Sequence, residues 1–574
     1  MVLTRTLSIL FSFLFLVYLF LDLPISIHQF IYTKWFLNGL LATSGLIWLL
    51  REQNFFFPKL SKACWFFLSG LFLYKFIQIF TGHISPLSQT ALDKVTFLIL
   101  IGVAYNFYIK KAFQLQDVLV GIFVATFTFL VFILFDFLFV YDSILASSIQ
   151  LAGNFGNINI AAEFIGLSLI LQIAALIQIQ MDKKLTVGLY ILSALSTAYL
   201  YFASSRSVFL ALAISICFLF CIRSVSKTKL MKSVGVICLA FTLCAGISVF
   251  QKSVSTSAAS PITLDLNKTV STHTRYQLIL ATLNLMRQHP LGVGAGEFEF
   301  AIMPYLHKMM PEYNEYVIPH APHNEYLRFL VEEGVPYTLL LVCFVVLLLY
   351  DRRRYLVTLI QDLPILPAFF VYWAIQCAFQ FPFTNGLSVL IICIFLSYAL
   401  FVLYPASKHI LRISFPFRVS VGFTSLFATF VACISISEYL TLTQPLSPEK
   451  SRIAYTLNSR NWYAGINHSI SMINNGNLSK ARKLLRTELK KRPHNFVALR
   501  ELAYIELAEQ NAHEACRLLT QYDSYFDNNS SFRSMRLNSC LGSIYPSQAA
   551  DVSEGVLPST LVLTSQKHPK ADYK

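Results

Sequence analysis

Long apolar runs alternate with short polar segments along most of this chain, and the alternation stops near Leu440. The runs cover residues 7–23, 35–50, 63–80, 95–108, 118–140, 160–180, 185–202, 208–221, 234–250, 337–350, 365–383, 387–404 and 419–440. A membrane-crossing helix needs roughly 17–25 mostly apolar residues, so the pattern predicts about thirteen transmembrane helices. The first run has no small-residue cleavage site and leads into further spans, so it reads as a retained helix rather than a leader.

Beyond residue 440 the composition turns to Asn, Ser, Glu, Lys and Arg with helical periodicity. Two segments there align at a period of about 34 residues, the length of a tetratricopeptide repeat. Ala503, Ala515 and Leu519 fall in register with Ser469, Ala481 and Leu485, and Pro493 closes the first repeat. Any helical hairpin is the plainer alternative. The expected fold is therefore all-α, a polytopic helical bundle over residues 1–440 followed by a repeat-like helical domain over 441–546. Residues 547–574, rich in Ser, Pro and Lys, are expected to be a disordered tail.

Composition agrees with the pattern. The chain is 56% hydrophobic and 13% charged, more apolar than a soluble fold of 574 residues could bury. Its net charge of +15 would suit nucleic acid, but the distribution argues against that. Basic residues gather in alternate short loops, among them Lys110/Lys111, Lys183/Lys184 and Arg352/Arg353/Arg354. That alternation is the positive-inside pattern, and it sets the N-terminus in the cytoplasm. Counting from there places residues 141–159, 204–207, a long loop at 251–334 and the C-terminal domain outside. Of the 11 cysteines, only Cys516 and Cys540 lie away from the spans. They fall in the external domain, where a disulfide is permitted; helix faces rather than spacing decide it.

The external segments hold the candidate chemistry. His323 precedes a short amphipathic stretch with Leu327, Leu330 and Val331 on one face and Gly334 at its end. A helix N-terminus disfavours the imidazolium, leaving a neutral ring that can accept a proton. A capping or loop histidine is the plainer alternative, and His320 is a second candidate. Arg206 lies at the outer mouth between two spans, and Arg275 opens a helical run in the long loop. Guanidinium groups grip phosphate oxygens in a fork, so two of them outside a membrane suit a pyrophosphate; each alone could equally be an interfacial anchor. Lys75, Asp136 and Glu163 sit inside spans toward the outer end, where they read as cavity wall.

Other readings fall away. Gly292-Val-Gly-Ala-Gly296 has no preceding strand and no βαβ setting, so it is not a nucleotide loop. No Cys/His spacing or acidic cluster suggests a metal, and there is no Gly-x-Ser-x-Gly elbow. No cofactor is expected.

Four pieces recur in order: Gly153-Asn-Phe-Gly-Asn-Ile-Asn159, Ser205-Arg206, Arg275 followed by His289-Pro-Leu-Gly-Val-Gly294, and His323-Asn324-x-x-Leu327 with Glu332-x-Gly334. In these motifs the chain resembles the O-antigen ligase superfamily, which includes lipopolysaccharide ligases, O-antigen polymerases and bacterial protein O-oligosaccharyltransferases. Two positions depart from the family pattern: Ile158 stands where proline is usual between the asparagines, and Tyr337 where glycine often follows.

The resemblance implies a glycosyltransferase of the bacterial inner membrane. It would move a glycan en bloc from an undecaprenyl-pyrophosphate carrier to an acceptor on the periplasmic side, without a metal and with inversion. By position, His323 resembles the base that deprotonates the acceptor, and Arg206 and Arg275 the groups that hold the pyrophosphate. Asn157, Asn159, Asn324 and His320 are assigned to substrate binding. Expected partners are the carrier-linked glycan, membrane lipid and an acceptor protein such as a pilin; nucleic acid is not among them. A Ser/Thr hydroxyl of an exported protein is the first acceptor reading, because repeat helices present protein-binding faces. A lipid A–core sugar or another carrier-linked glycan are the alternatives. A transporter with an external receptor domain would need span repeats and broken midplane helices, and the sequence shows neither clearly.

Overall fold

The computed structural model describes residues 2–20, 29–51, 56, 58–80, 89–135, 152, 155, 157–254, 269–309, 319, 321–380, 382–404, 417–442, 447–521, 536–537 and 539–540. All regular structure among them is helical. In chain order the helices are α1 (Val2–Phe20), α2 (Gln29–Arg51), α3 (Lys62–Phe80), α4 (Gln89–Ile109), α5 (Leu115–Phe135), α6 (Ile158–Gln178), α7 (Lys183–Ala203), α8 (Arg206–Cys221) and α9 (Lys227–Val254). The long loop holds α10 (Thr269–Gln288), α11 (Phe298–Ala301), α12 (Met303–Met309) and α13 (Glu325–Glu333). Then come α14 (Val335–Asp351), α15 (Arg353–Asp362), α16 (Ile365–Phe379), α17 (Gly386–Leu403) and α18 (Phe417–Leu442). The C-terminal domain adds α19 (Pro448–Leu457), α20 (Trp462–Asn474), α21 (Leu478–Lys491), α22 (Phe496–Ala508) and α23 (Ala512–Gln521).

Each apolar run in the sequence falls on one of these helices. Five described segments are long and apolar enough to cross a membrane: Leu115–Phe135, Ile158–Gln178, Lys183–Ala203, Lys227–Val249 and Gly386–Leu403. The pair α14 and α15, bent by 76°, would make a sixth. Other apolar stretches are shorter among the described residues, such as Arg206–Cys221 and Ile365–Phe379. This is a membrane protein.

Helix α6 is the axis of the bundle, buried continuously from Ile160 to Ile177. Its polar groups find partners inside: Thr126 Oγ1 donates to Ser168 Oγ at 2.7 Å, and Ser193 Oγ to Gln172 Oε1 at 3.0 Å. Such bonds join helices where no water competes. Gly166 lets α16 and α8 approach, since a Cβ there would strike Tyr372 Oη and Val208. By contrast α14 buries no residue fully and exposes Leu339, Val342 and Val346, an apolar face suited to lipid.

The C-terminal domain stacks helices α19 to α23, each against the next. Ser469, Ala481 and Leu485 and their counterparts Ala503, Ala515 and Leu519 are all fully buried. Cys516 and Cys540 are bridged, with Cα atoms 4.8 Å apart. The domain shares one hydrophobic core with the long loop: Leu278, Leu285, Phe298, Ile302 and Val331 pack with Ile466, Leu485, Leu499 and Leu502. Residues 547–574 lie outside the described residues.

Candidate active site

The turn between α7 and α8 is two residues long. Ser204 closes α7 in the left-handed region at φ 52°, and Ser205 starts α8, so Arg206 is exposed in the first helical turn. A cation at the positive end of a helix dipole is unfavourable by itself and favours a bound anion beside it.

Arg275 comes to the same place from α10. Its pKa is lowered first by burial and then by the Arg206 guanidinium, so the two positive charges are close enough to repel. Two arginines clustered in this way suit a polyanion.

His323 lies just ahead of α13 with φ 52°, a strained conformation for a residue with a side chain. Neighbouring bonds hold it there. Asn324 caps α13 by accepting from the Leu327 N–H at 3.0 Å, and its Nδ2 donates to the Ala378 carbonyl at 3.0 Å. Tyr326 Oη donates to the Ala374 carbonyl at 2.8 Å, pinning the same turn to the end of α16. Gln380, one step further along, donates from Nε2 to Ser207 Oγ at 3.3 Å. The end of α16 is thus the bracket between Arg206 and His323. Burial, and next the Arg275 charge, lower the His323 pKa to about 4, so the ring is neutral at physiological pH. A neutral imidazole beside two arginines can take a proton while they hold a phosphate.

A second set of bonds fixes the loop to the membrane helices. The segment after His289 crosses the end of α13: Val293 N–H donates to the Val331 carbonyl at 2.9 Å, and Gly294 N–H to the Glu332 carbonyl at 3.1 Å. Gln78 of α3 donates to the Glu333 carbonyl at 3.1 Å, and Tyr74 Oη to the Leu291 carbonyl at 3.1 Å. The Glu333 carboxylate, fully buried, pairs with both Lys75 and Lys94. Glu325, also buried, accepts from the Phe383 N–H and pairs with Arg328 at 3.1 Å.

The structure therefore brings Arg206, Arg275 and His323 together. Asn324 is next to them, with its side chain spent on the cap and the tie to α16. Asn157 is exposed and caps α6, accepting from the Asn159 N–H at 2.8 Å; Asn159 is half-buried in the first turn. His320 and Asp136 lie outside the described residues. Lys75 is an ion-pair partner, and Glu163 accepts from Ser388 Oγ at 2.8 Å inside the bundle. Gln380, Lys94 and the Glu325–Arg328 pair went unnoticed in the sequence, since no local motif marks them. Among the described residues no group of His, Cys, Asp and Glu converges as a metal would require.

Residues 191–342 match the family model described as O-antigen ligase. Over these residues the chain is similar to the O-antigen ligase family. The matched segment runs from the middle of α7 into α14 and contains Arg206, Arg275, the Gly292–Gly334 crossing and His323. The matched family points to glycosyltransferase-type activity. Among curated proteins none matches the chain. The ligase segment ends before α16 and the C-terminal domain, so the bracket at Ala378 and Gln380 is supplied from outside it.

Proposed function

We propose that this protein transfers a glycan en bloc from undecaprenyl pyrophosphate to a Ser or Thr hydroxyl of an exported protein such as a pilin. Arg206 and Arg275 would grip the pyrophosphate, and His323 would remove the acceptor proton. The hydroxyl oxygen attacks the anomeric carbon from the face opposite the leaving group. The new C–O bond forms as the bond to phosphate breaks, and the configuration inverts. The electron pair leaves with the carrier pyrophosphate, where two guanidiniums stabilise the charge that develops.

The observation that carries this reading is that the end of α16 holds both turns at once, Asn324 beside His323 donating to the Ala378 carbonyl and Gln380 donating to Ser207 beside Arg206. Asn324 is read as a positioning residue for His323, and His320, Asn157 and Asn159 as contacts to the sugar or acceptor. In this reading about thirteen helices cross the inner membrane, with α2, α3 and the other shorter ones included. The N-terminus is cytoplasmic, and the loop and C-terminal domain are periplasmic. Two features support that placement. The loop and the domain share a core, so they lie on one side, and the domain's disulfide suits an oxidising compartment. The equivalent buried positions at 469/503, 481/515 and 485/519 support a tetratricopeptide-like domain over 441–546.

A helical domain beside the reaction centre favours a polypeptide acceptor over lipid A–core or a second carrier-linked glycan. The test supplies purified protein with carrier-linked glycan and, separately, a folded pilin-like acceptor, lipid A–core, or neither. Glycosylated protein is the expected product. Transfer only to lipid A–core, or chain growth with no added acceptor, would replace this reading with ligase or polymerase activity.

A further inference from the structure

We propose that Arg492 and Glu297 form a positioning pair through which the C-terminal domain sets the geometry of the catalytic loop, with Trp462 and Glu299 as a second tie. Arg492 is nearly buried, and its Nε lies 2.9 Å from Glu297 Oε2. The guanidinium is fixed on its own side by Glu488 at 3.4 Å and by donating from Nη2 to the Arg460 carbonyl at 3.2 Å. Only its remaining face meets the loop. Alongside, Trp462 Nε1 donates to Glu299 Oε1 at 2.8 Å, and its ring stands edge-on to Phe300 at 4.9 Å.

From Glu297 a continuous series of bonds leads to the reaction centre. Its N–H donates to the Gly294 carbonyl at 3.2 Å, and the Gly294 N–H donates to the Glu332 carbonyl at 3.1 Å. Glu332 is in the last turn of α13, the helix that starts just after His323. Arg275 sits on α10, and α10 and α13 touch through Leu278, Leu285 and Val331 in the core that Ile466 and Leu499 complete. The distance between base and phosphate-holder is therefore set by two elements that the C-terminal domain braces from behind. A buried ion pair is a poor source of net stability but fixes one arrangement among several.

This proposal rests on His323 acting as the base. The charged groups around it are Arg275 of α10 and, beyond it, Arg206 of α8, with Glu325 and Arg328 on its own helix. Loosening the brace lets water reach the ring.

The test uses the full-length purified protein. Glu297→Gln should lower kcat by about tenfold, as expected for reacting groups held out of place from a distance. Donor KM should stay within about twofold, because the pyrophosphate contacts remain. The acid limb of the pH–rate profile should move up from about pH 4, since a hydrated His323 is protonated more easily. Glu297→Asp, which keeps the charge, should recover most of the turnover, and Trp462→Phe should show a smaller shift of the same kind. Wild-type kcat and an unmoved limb in Glu297→Gln would overturn the proposal. So would lost turnover with an unmoved limb and no recovery in Glu297→Asp, which describes a purely structural contact. Normal turnover in His323→Ala is a separate failure, of the base itself, and is read without touching Glu297.

Discussion

Gly292 and Gly334 cross with their backbones in contact. A Cβ on Gly292 would lie 2.7 Å from the Glu332 carbonyl oxygen, and one on Gly334 would strike the Leu291 carbonyl. Both also have positive φ, +94° and +87°. The crossing joins the turn segment after His289 to the end of α13, so two motifs far apart in sequence are one structural unit.

Gly334→Ala should therefore be costly twice over, through strain and through collision. The left-handed conformation alone costs roughly 1–3 kcal/mol. Thermal unfolding of the detergent-purified protein should show a lower midpoint, and transfer should fall with it. A variant with wild-type stability and activity would mean that the two backbones do not meet.

The second prediction concerns pH. A general base works in its neutral form, so transfer is full above the folded pKa of His323 and declines as pH falls through it. The acid limb of kcat/KM should lie near pH 4 instead of 6.5. Arg275→Gln removes the lesser of the two causes, so the limb should rise but remain below 6.5, because burial is the larger cause. A wild-type limb at 6.5 would show that the ring is hydrated.

Point variants separate the roles of the three groups. His323→Ala should cost about 10²–10⁴-fold in turnover with donor binding nearly intact, because a base acts in the transition state. Arg206→Ala should weaken donor binding as well, since the pyrophosphate is charged throughout. Arg206→Lys should recover little, as an ammonium lacks the guanidinium fork. Donor binding measured apart from transfer distinguishes these outcomes.

The fourth prediction is redox dependence. The Cys516–Cys540 bridge spans 24 residues, a loop whose closure stabilises the folded domain by about 3 kcal/mol. Cys540→Ser, or mild reductant, should lower the stability of the C-terminal domain while leaving the membrane bundle unchanged. Limited proteolysis reads the two regions separately. Equal protection before and after reduction would show that the bridge adds nothing.

Much of this was legible in the sequence where physics is local. Apolar runs located the helices because a bilayer allows little else, and Arg206, Arg275 and His323 stood out as ionisable groups between spans. The equivalent positions Ala481 and Ala515 were readable because close helix crossings demand small residues, and both are fully buried. Lys75 illustrates the limit. Its position inside a span toward the outer end read as cavity wall, and its pairing with Glu333 requires knowing how α3 stands against α13. Glu297 and Arg492 show it more strongly: nothing near either residue announces the other. The bonds of Asn324 were likewise not readable in advance, since its tie to the Ala378 carbonyl depends on where α16 ends.

The shared core of loop and C-terminal domain also has a temporal meaning. A ribosome delivers the loop before α20 to α23, so Leu278, Leu285 and Val331 wait for the partners that complete their packing. A nascent chain already holds Arg206, Arg275 and His323, but the core beneath α10 and α13 is completed only when those later helices have folded. Chain order thereby makes assembly of the candidate site a late event, since the loop cannot finish packing before those helices are made.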